Sequence, residues 1–220
     1  MKLVWSPETA SKAYIDTVQS FCVKCDLHQE SGVAELISAM AAGWNAQFIV
    51  ETWSTGGAIA TSIGLAVARR HVGGRHVCVV PDERSRGEYS RAMERAGLSP
   101  EVIVGEPEEV MEGLVGIDFL VVDSQRRNFS RVLKLANLSS RGAVLICKNA
   151  NSRSDSSFRW ISVTENGTRR LVRSAFLPVG KGLDIAHVAA AGGNSGSGGG
   201  KGKWIKHVDR RSGEEFVIRK

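Results

Sequence analysis

Between residues 46 and 147 the chain alternates five short apolar runs with segments whose apolar residues recur at helical spacing. The first run, Gln47-Phe48-Ile49-Val50-Glu51, ends in a carboxylate. It passes through Thr52-Trp53-Ser54-Thr55-Gly56-Gly57 into a helix pattern carrying Ile59, Ile63 and Val67. A strand, a tight loop and a helix in that order open a βαβ unit. In such units the loop and the helix N-terminus form a cradle for a nucleotide-like ligand. The alternation predicts strands over 46–51, 76–80, 102–104, 119–123 and 143–147. It predicts helices over 57–71, from Asp82 to Gly97, from Glu106 to Leu114 and from Phe129 to Leu138. Short connections through helices give a parallel sheet covered on both faces, and the nearly continuous apolar character of the second, fourth and fifth runs fits burial on both sides.

Two helices precede the sheet. Ser6-Pro7-Glu8 is a helix start, with a capping hydroxyl, Pro in the first turn and an acid favoured by the helix dipole. A second amphipathic stretch runs from Val33 to Gly43. Residues 1–43 are therefore expected to pack as helices on a core spanning 44–190. After Cys147 the segment from Asn151 to Ser157 is polar and reads as an exposed loop. Strand-like stretches over 169–177 and 183–189, separated by Pro178-Val179-Gly180-Lys181-Gly182, suit a terminal antiparallel pair. Residues 191–203 read as a Gly/Ser linker. Residues 204–220 read as a short basic hairpin, too small to be stable alone.

The chain of 220 residues suffices for one sizeable core. No apolar run approaches the roughly 20 residues that cross a bilayer. The start lacks the apolar core of a secretory signal, so a cytoplasmic protein with no membrane contact is expected. Cys78 and Cys147 sit inside apolar runs, as small hydrophobes do. Cys22 and Cys25, with His28 beyond them, lack the second half-site that zinc needs. Of the formal net charge of +6, most resides in the tail, which holds seven basic and three acidic side chains from residue 201 onward. Any polyanion contact, including nucleic acid, is expected there, on Lys203-Trp204-Ile205-Lys206-His207 and Arg210-Arg211, although a solvated basic tail is the commoner meaning of such a run. No phosphate-binding P-loop, no G-x-G-x-x-G and no Ser or Cys triad occurs, so NTPase and dehydrogenase readings lack support.

Several stretches together resemble a class I S-adenosylmethionine-dependent methyltransferase, of the small catechol and caffeoyl-CoA O-methyltransferase type. Glu51 and Gly57 match the acid and last glycine of that family's cofactor loop. Val104-Gly105-Glu106-Pro107 resembles its turn after the third strand, and Asp118 to Asp123 its fourth strand. Arg141 to Ile146 resembles the fifth strand, and Phe176 to Ala186 the closing Leu-Pro-x-Gly-x-Gly-Leu segment. Within the superfamily, the Trp5-Ser6-Pro7-Glu8-Thr9-Ala10 start and the basic tail resemble an uncharacterised plant family known only as a domain of unknown function. The resemblance implies a Rossmann-like doubly wound sheet, mostly parallel, with a closing antiparallel strand. It implies S-adenosylmethionine as cofactor and a small-molecule methyl acceptor.

By that resemblance, Glu51, Trp53, Ser54, Gly56, Gly57, Asp82, Glu106 and Asp123 form the candidate cofactor site, and Asp123 and Lys148 the candidate catalytic pair. The departures are equally specific. Two of the loop's three glycines are replaced, by Trp53 and Thr55. Trp53 either turns away from the ligand position or blocks it. The ribose-binding acid expected at the end of the second strand falls on Val80 or Pro81. Asp82, two places on, either substitutes for it or caps the next helix. Of the acids that hold a divalent ion in cation-dependent relatives, only Asp123 is matched; Gln125 and Lys148 occupy the other acid positions, with Asn149 retained. One carboxylate beside a lysine is a poor site for a hard cation, so no metal is expected. Lys148 either pairs with Asp123 or serves as a base. Glu106 either accepts from an adenine amino group or simply favours a helix N-terminus. Methyl transfer is chiefly a matter of alignment, so a weakened loop is compatible with activity. The alternative is a pseudoenzyme that keeps the fold and uses its surface.

Overall fold

A computed structural model describes residues 5–22, 32–164, 170–189, 204–208 and 215–219. The Gly/Ser linker, Cys25 and His28 lie outside the described residues, as does the turn between the two tail strands. So do the side chains of the tail.

The main sheet uses β1 (Phe48–Thr52), β2 (Arg75–Val80), β3 (Glu101–Val104), β5 (Phe119–Asp123), β7 (Ala143–Lys148), β8 (Leu171–Leu177) and β9 (Leu183–Val188). These seven strands lie in the order β3-β2-β1-β5-β7-β9-β8. β1, β2, β3, β5 and β7 pair in parallel, while β9 runs antiparallel between β7 and β8. The terminal pair expected from the sequence thus forms, with its second strand inserted next to β7. One short pairing has no counterpart in the sequence pattern: β4 (Val115–Ile117) lies beside β6 (Asn137–Leu138). In the tail, β10 (Trp204–Val208) pairs antiparallel with β11 (Glu215–Arg219).

Helices cover both faces. α1 (Pro7–Cys22), α2 (Val33–Gly43), α3 (Ala60–Val72) and α4 (Glu83–Arg95) pack on one side, where Ile37, Ile49, Leu65, Phe119, Val121 and Ile146 are buried together. α5 (Pro107–Gly113) and α6 (Phe129–Leu135) pack on the other, over Val50, Val79, Leu120, Val122 and Leu145. Successive strand residues alternate between these two cores because side chains on a strand point to opposite faces. A short helix α7 (Ile161–Thr164) follows Phe158 and Trp160, which close the second core. The 151–157 segment before it is largely exposed, as expected, but is pinned. Arg153 bonds Asp184 at 2.5 Å while the Trp160 indole donates to the same carboxylate at 2.7 Å.

Two contacts set the frame beneath the site. The buried Asp118 carboxylate accepts from the backbone N–H groups of Gln47 (3.0 Å) and Phe48 (2.8 Å), and Arg141 pairs with it, which locks the start of β1 to β5. Gly64 lets α3 cross closely over α2: a Cβ there would stand 2.5 Å from the Ala34 carbonyl oxygen.

Candidate functional site

β1 leads to β2 and β3 on one side of the sheet, and β5 and β7 lie on the other. The boundary between β1 and β5 is the topological switch point, outside whose carboxyl ends ligands of open α/β sheets bind. At that end the structure forms a hollow of about 230 Å³ lined by Thr52, Glu106, Asp123, Arg126, Arg127 and Phe129, among others. Two of the candidate residues, Glu106 and Asp123, line it. Glu106 occupies the N-cap position of α5, makes no capping bond with its side chain, and is exposed. Asp123 ends β5 half-buried and accepts from Asn149 Nδ2 at 2.9 Å and from the Gln125 N–H at 3.0 Å.

Strand alternation decides where the other candidates go. Thr52 faces the hollow, so Glu51 on one side of it and Trp53 on the other face the α3–α4 layer. Glu51 is buried to 1 % exposure and its carboxylate is fully engaged. Ser62 Oγ donates to Oε2 at 2.8 Å, Tyr89 Oη donates to Oε1 at 2.8 Å, and His76 Nε2 lies 3.0 Å from Oε1. Burial alone would raise the carboxyl pKa of Glu51. The hydrogen bond and charge of His76, the charge of Lys148 and the Tyr89 hydroxyl outweigh it, so Glu51 is held below the usual glutamate value. The same burial, with the Glu51 charge second, pushes the Tyr89 hydroxyl and the Cys78 thiol well up. Glu51 is therefore an internal anion tying β1 to β2, α3 and α4.

Trp53 turns away from the hollow. It is 3 % exposed, stands edge-on to Tyr89 with ring centroids 5.4 Å apart, and donates from its indole N–H to the Gly57 carbonyl at 3.2 Å. Gly57 is required beside it, because a Cβ would lie 2.9 Å from both the Trp53 indole nitrogen and the Ser54 carbonyl oxygen. Ser54 closes the turn by accepting from the Gly57 N–H at 2.8 Å.

The exposed part of the loop is fastened to α4. Thr55 Oγ1 lies 3.0 Å from Ser85 Oγ, and the Gly56 N–H donates to Glu88 Oε1 at 3.2 Å. Asp82 is the N-cap of the same helix and accepts from the Ser85 N–H at 2.7 Å. That bond, chiefly, holds its carboxyl below the usual aspartate value. The capping role weighed for Asp82 is the one the structure builds.

Lys148 stands opposite Asp123 in the register of β5 and β7 and is 4 % exposed. The Asp123–Lys148 ion pair expected from the sequence does not form, since among the described residues no ion pair joins the two. Asn149 takes the carboxylate oxygen of Asp123 instead, and the Lys148 charge is felt by Glu51. Sequence reasoning missed Ser62, His76 and Tyr89 as partners of Glu51, and Arg126 and Arg127 as walls of the hollow. His76 left one signal: it lies two residues before Cys78 on a strand beside Glu51, and so shares its face.

The hollow offers three carboxylates, Glu106, Glu108 and Asp123, and two guanidinium donors around an apolar floor of Phe129 and Val132. Such a set suits a polar ligand carrying N–H or O–H donors at one end and negative charge at the other. Among the described residues no group of three His, Cys, Asp or Glu side chains is placed to hold a metal ion.

No curated protein matches this chain in sequence. Solved structures match it in fold. A methyltransferase from Geobacter sulfurreducens superposes with a TM-score of 0.56 at 22 % identity, over 80 % of this chain and 88 % of its own. An S-adenosylhomocysteine-bound methyltransferase from Podospora anserina superposes with a TM-score of 0.56 at 14 % identity, over 84 % and 89 %. An O-methyltransferase from Bacillus cereus, in complex with S-adenosylhomocysteine, does so with a TM-score of 0.52 at 18 % identity, over 80 % and 90 %. The strand order and these likenesses establish the methyltransferase-type Rossmann-like fold. The model of a family described as protein of unknown function (DUF1442) matches residues 1–220, and the chain belongs to that family.

Proposed function

We propose that this protein is an S-adenosylmethionine-dependent, methyltransferase-like protein with a degenerate cofactor loop, acting on a small-molecule acceptor. The observation that carries this reading is the direction of Trp53. Its ring is packed under the loop, so the crevice between Glu106 and Asp123 at the switch point stays open. The residues present fit the cofactor in chemistry. Glu106 and Asp123 supply acceptors for its amino and hydroxyl donors. They do not fit it in size while the loop is fastened, because about 230 Å³ is below the roughly 300–1,000 Å³ of small-molecule sites. We infer that the 54–57 loop, tied to Ser85 and Glu88, is the segment whose release would make room beside the hollow. When bound, the cofactor supplies the methyl group, and the chain's own contribution is to align the acceptor beside Asp123.

Calorimetric titration with S-adenosylhomocysteine tests the reading. A dissociation constant of about 0.1–1 mM is expected, weakened about tenfold by Asp123→Ala or Glu106→Ala. Silence at millimolar ligand would overturn it.

The undersized hollow and the double fastening of the loop favour a second reading, in which the fold is kept as a binding module without methyl transfer. That reading holds if Ser85→Ala combined with Glu88→Ala also fails to bind the cofactor.

A further inference from the structure

At the opposite, amino-terminal end of the sheet a larger cleft of about 700 Å³ opens between the last turn of α3, the start of β2 and the α4–β3 connection. Its size falls within the roughly 300–1,000 Å³ of small-molecule sites. Arg69, Arg70, Arg75 and His76 line it, with glycines 73, 74 and 97 forming walls. Glu101, the acid at its rim, is paired with Arg75, from which it accepts bidentately at 2.8 and 2.6 Å. Arg69 and Arg70 have no carboxylate partner among the described residues. Arg69 Nε donates to the Gly74 carbonyl at 3.1 Å, and Arg70 Nη2 donates to the Gly97 carbonyl at 3.1 Å. Each guanidinium is thereby held by one edge and keeps most of its five donors.

The carbonyl ends of α3 and α4 point toward this cleft and would repel an anion. The two arginines offset that field, because each adds a full positive charge where a helix end contributes about half a negative one. Planar donor forks on one cleft wall match tetrahedral oxyanions better than any neutral ligand.

At the floor, His76 spends Nε2 on Glu51 and has no hydrogen-bond partner for its buried Nδ1. Buried polar groups without a partner are rare in folded proteins and call for a specific cause. His76 is among the residues lining the cleft, which makes this nitrogen the candidate contact for a ligand oxygen.

We propose that this cleft binds a small organic phosphate, its terminal oxygens held by Arg69 and Arg70 and reaching the His76 imidazole. A small ligand is required because His76 is recessed; the internal diester of a nucleic-acid strand has no terminal group to insert. The inference does not depend on cofactor binding at the other end of the sheet.

The test uses the full chain, with pyrophosphate and adenosine monophosphate as probes in calorimetry. Saturable binding is expected, weakened about tenfold or more in Arg69→Gln/Arg70→Gln and unchanged in the exposed control Arg131→Gln. Nitrogen-15 resonances of the His76 imidazole should shift on saturation in the native protein and much less in the double variant. Both arginines are exposed, so the double variant should melt at the native temperature. The proposal is overturned by no binding at about 10 mM probe. An equal loss in Arg131→Gln, an unmoved His76 resonance, or binding of an RNA oligonucleotide alone would also overturn it.

Discussion

Glu51 shows how a single side chain can leave one role for another. A carboxylate at the end of β1 is sited to meet a ligand, but here three neighbours consume its acceptors. Breaking a buried charged pair by removing one partner costs about 3–5 kcal/mol. Glu51→Gln should therefore lower the urea-unfolding free energy by about that amount. The sign of its pH dependence follows from the depressed carboxyl pKa. The stabilisation is fully present above the ordinary glutamate value of 4.5 and is lost as pH falls from there through the lower folded value. Urea melts of the native protein should weaken over that range, and those of Glu51→Gln should show a flatter profile. Trp53 gives a complementary case. Trp53→Ala should cost about 3–5 kcal/mol, the usual penalty for emptying a large aromatic site. It should leave the affinity for S-adenosylhomocysteine no higher; a rise would place the ring in the ligand's path.

At the level of elements, the β1–α3 loop is governed by α4 as much as by its own residues. Two hydrogen bonds, from Thr55 to Ser85 and from Gly56 to Glu88, hold it over the end of β2. Each exposed or half-buried bond contributes about 0.5–1.5 kcal/mol, so releasing both shifts the loop equilibrium by roughly 1–3 kcal/mol. Ser85→Ala with Glu88→Ala should raise affinity for S-adenosylhomocysteine by about five- to a hundredfold, read by calorimetry. Unchanged binding would show that the loop does not gate the hollow. The α2–α3 crossing is a second element-scale constraint. Gly64→Ala would press a methyl group against the Ala34 carbonyl and should cost about 1–3 kcal/mol, measured by thermal melt.

Across the whole molecule, burial is greatest in the centre of the sheet. β1, β5 and β7 are covered on both faces and paired on both edges, whereas β3 and β8 are edge strands with exposed positions. Amide exchange should accordingly be slowest in β1, β5 and β7 and approach local opening rates in β3 and β8. An inverted order would contradict the sheet order. The same geometry puts the two clefts at opposite ends of one rigid layer. Glu51 and His76 run between them on the α3–α4 side.

The alternation of apolar runs and helix patterns, the parallel core and the closing antiparallel pair could all be read from residue order, and the Asp82 cap was one of the two roles that order left open. Each rests on local periodicity or on chemistry within a few residues of chain. The direction in which Glu51 and Trp53 point was also latent in strand alternation. What they touch was not, because Ser62, His76 and Tyr89 reach Glu51 from three elements separated by 11 to 38 residues. The choice of Asn149 over Lys148 as partner for Asp123, the fastening of the loop to α4, and the arginine-lined cleft were likewise settled only by packing. Side chains far apart in the chain compete for the same acceptors, and only their distances in the folded state decide which of them wins.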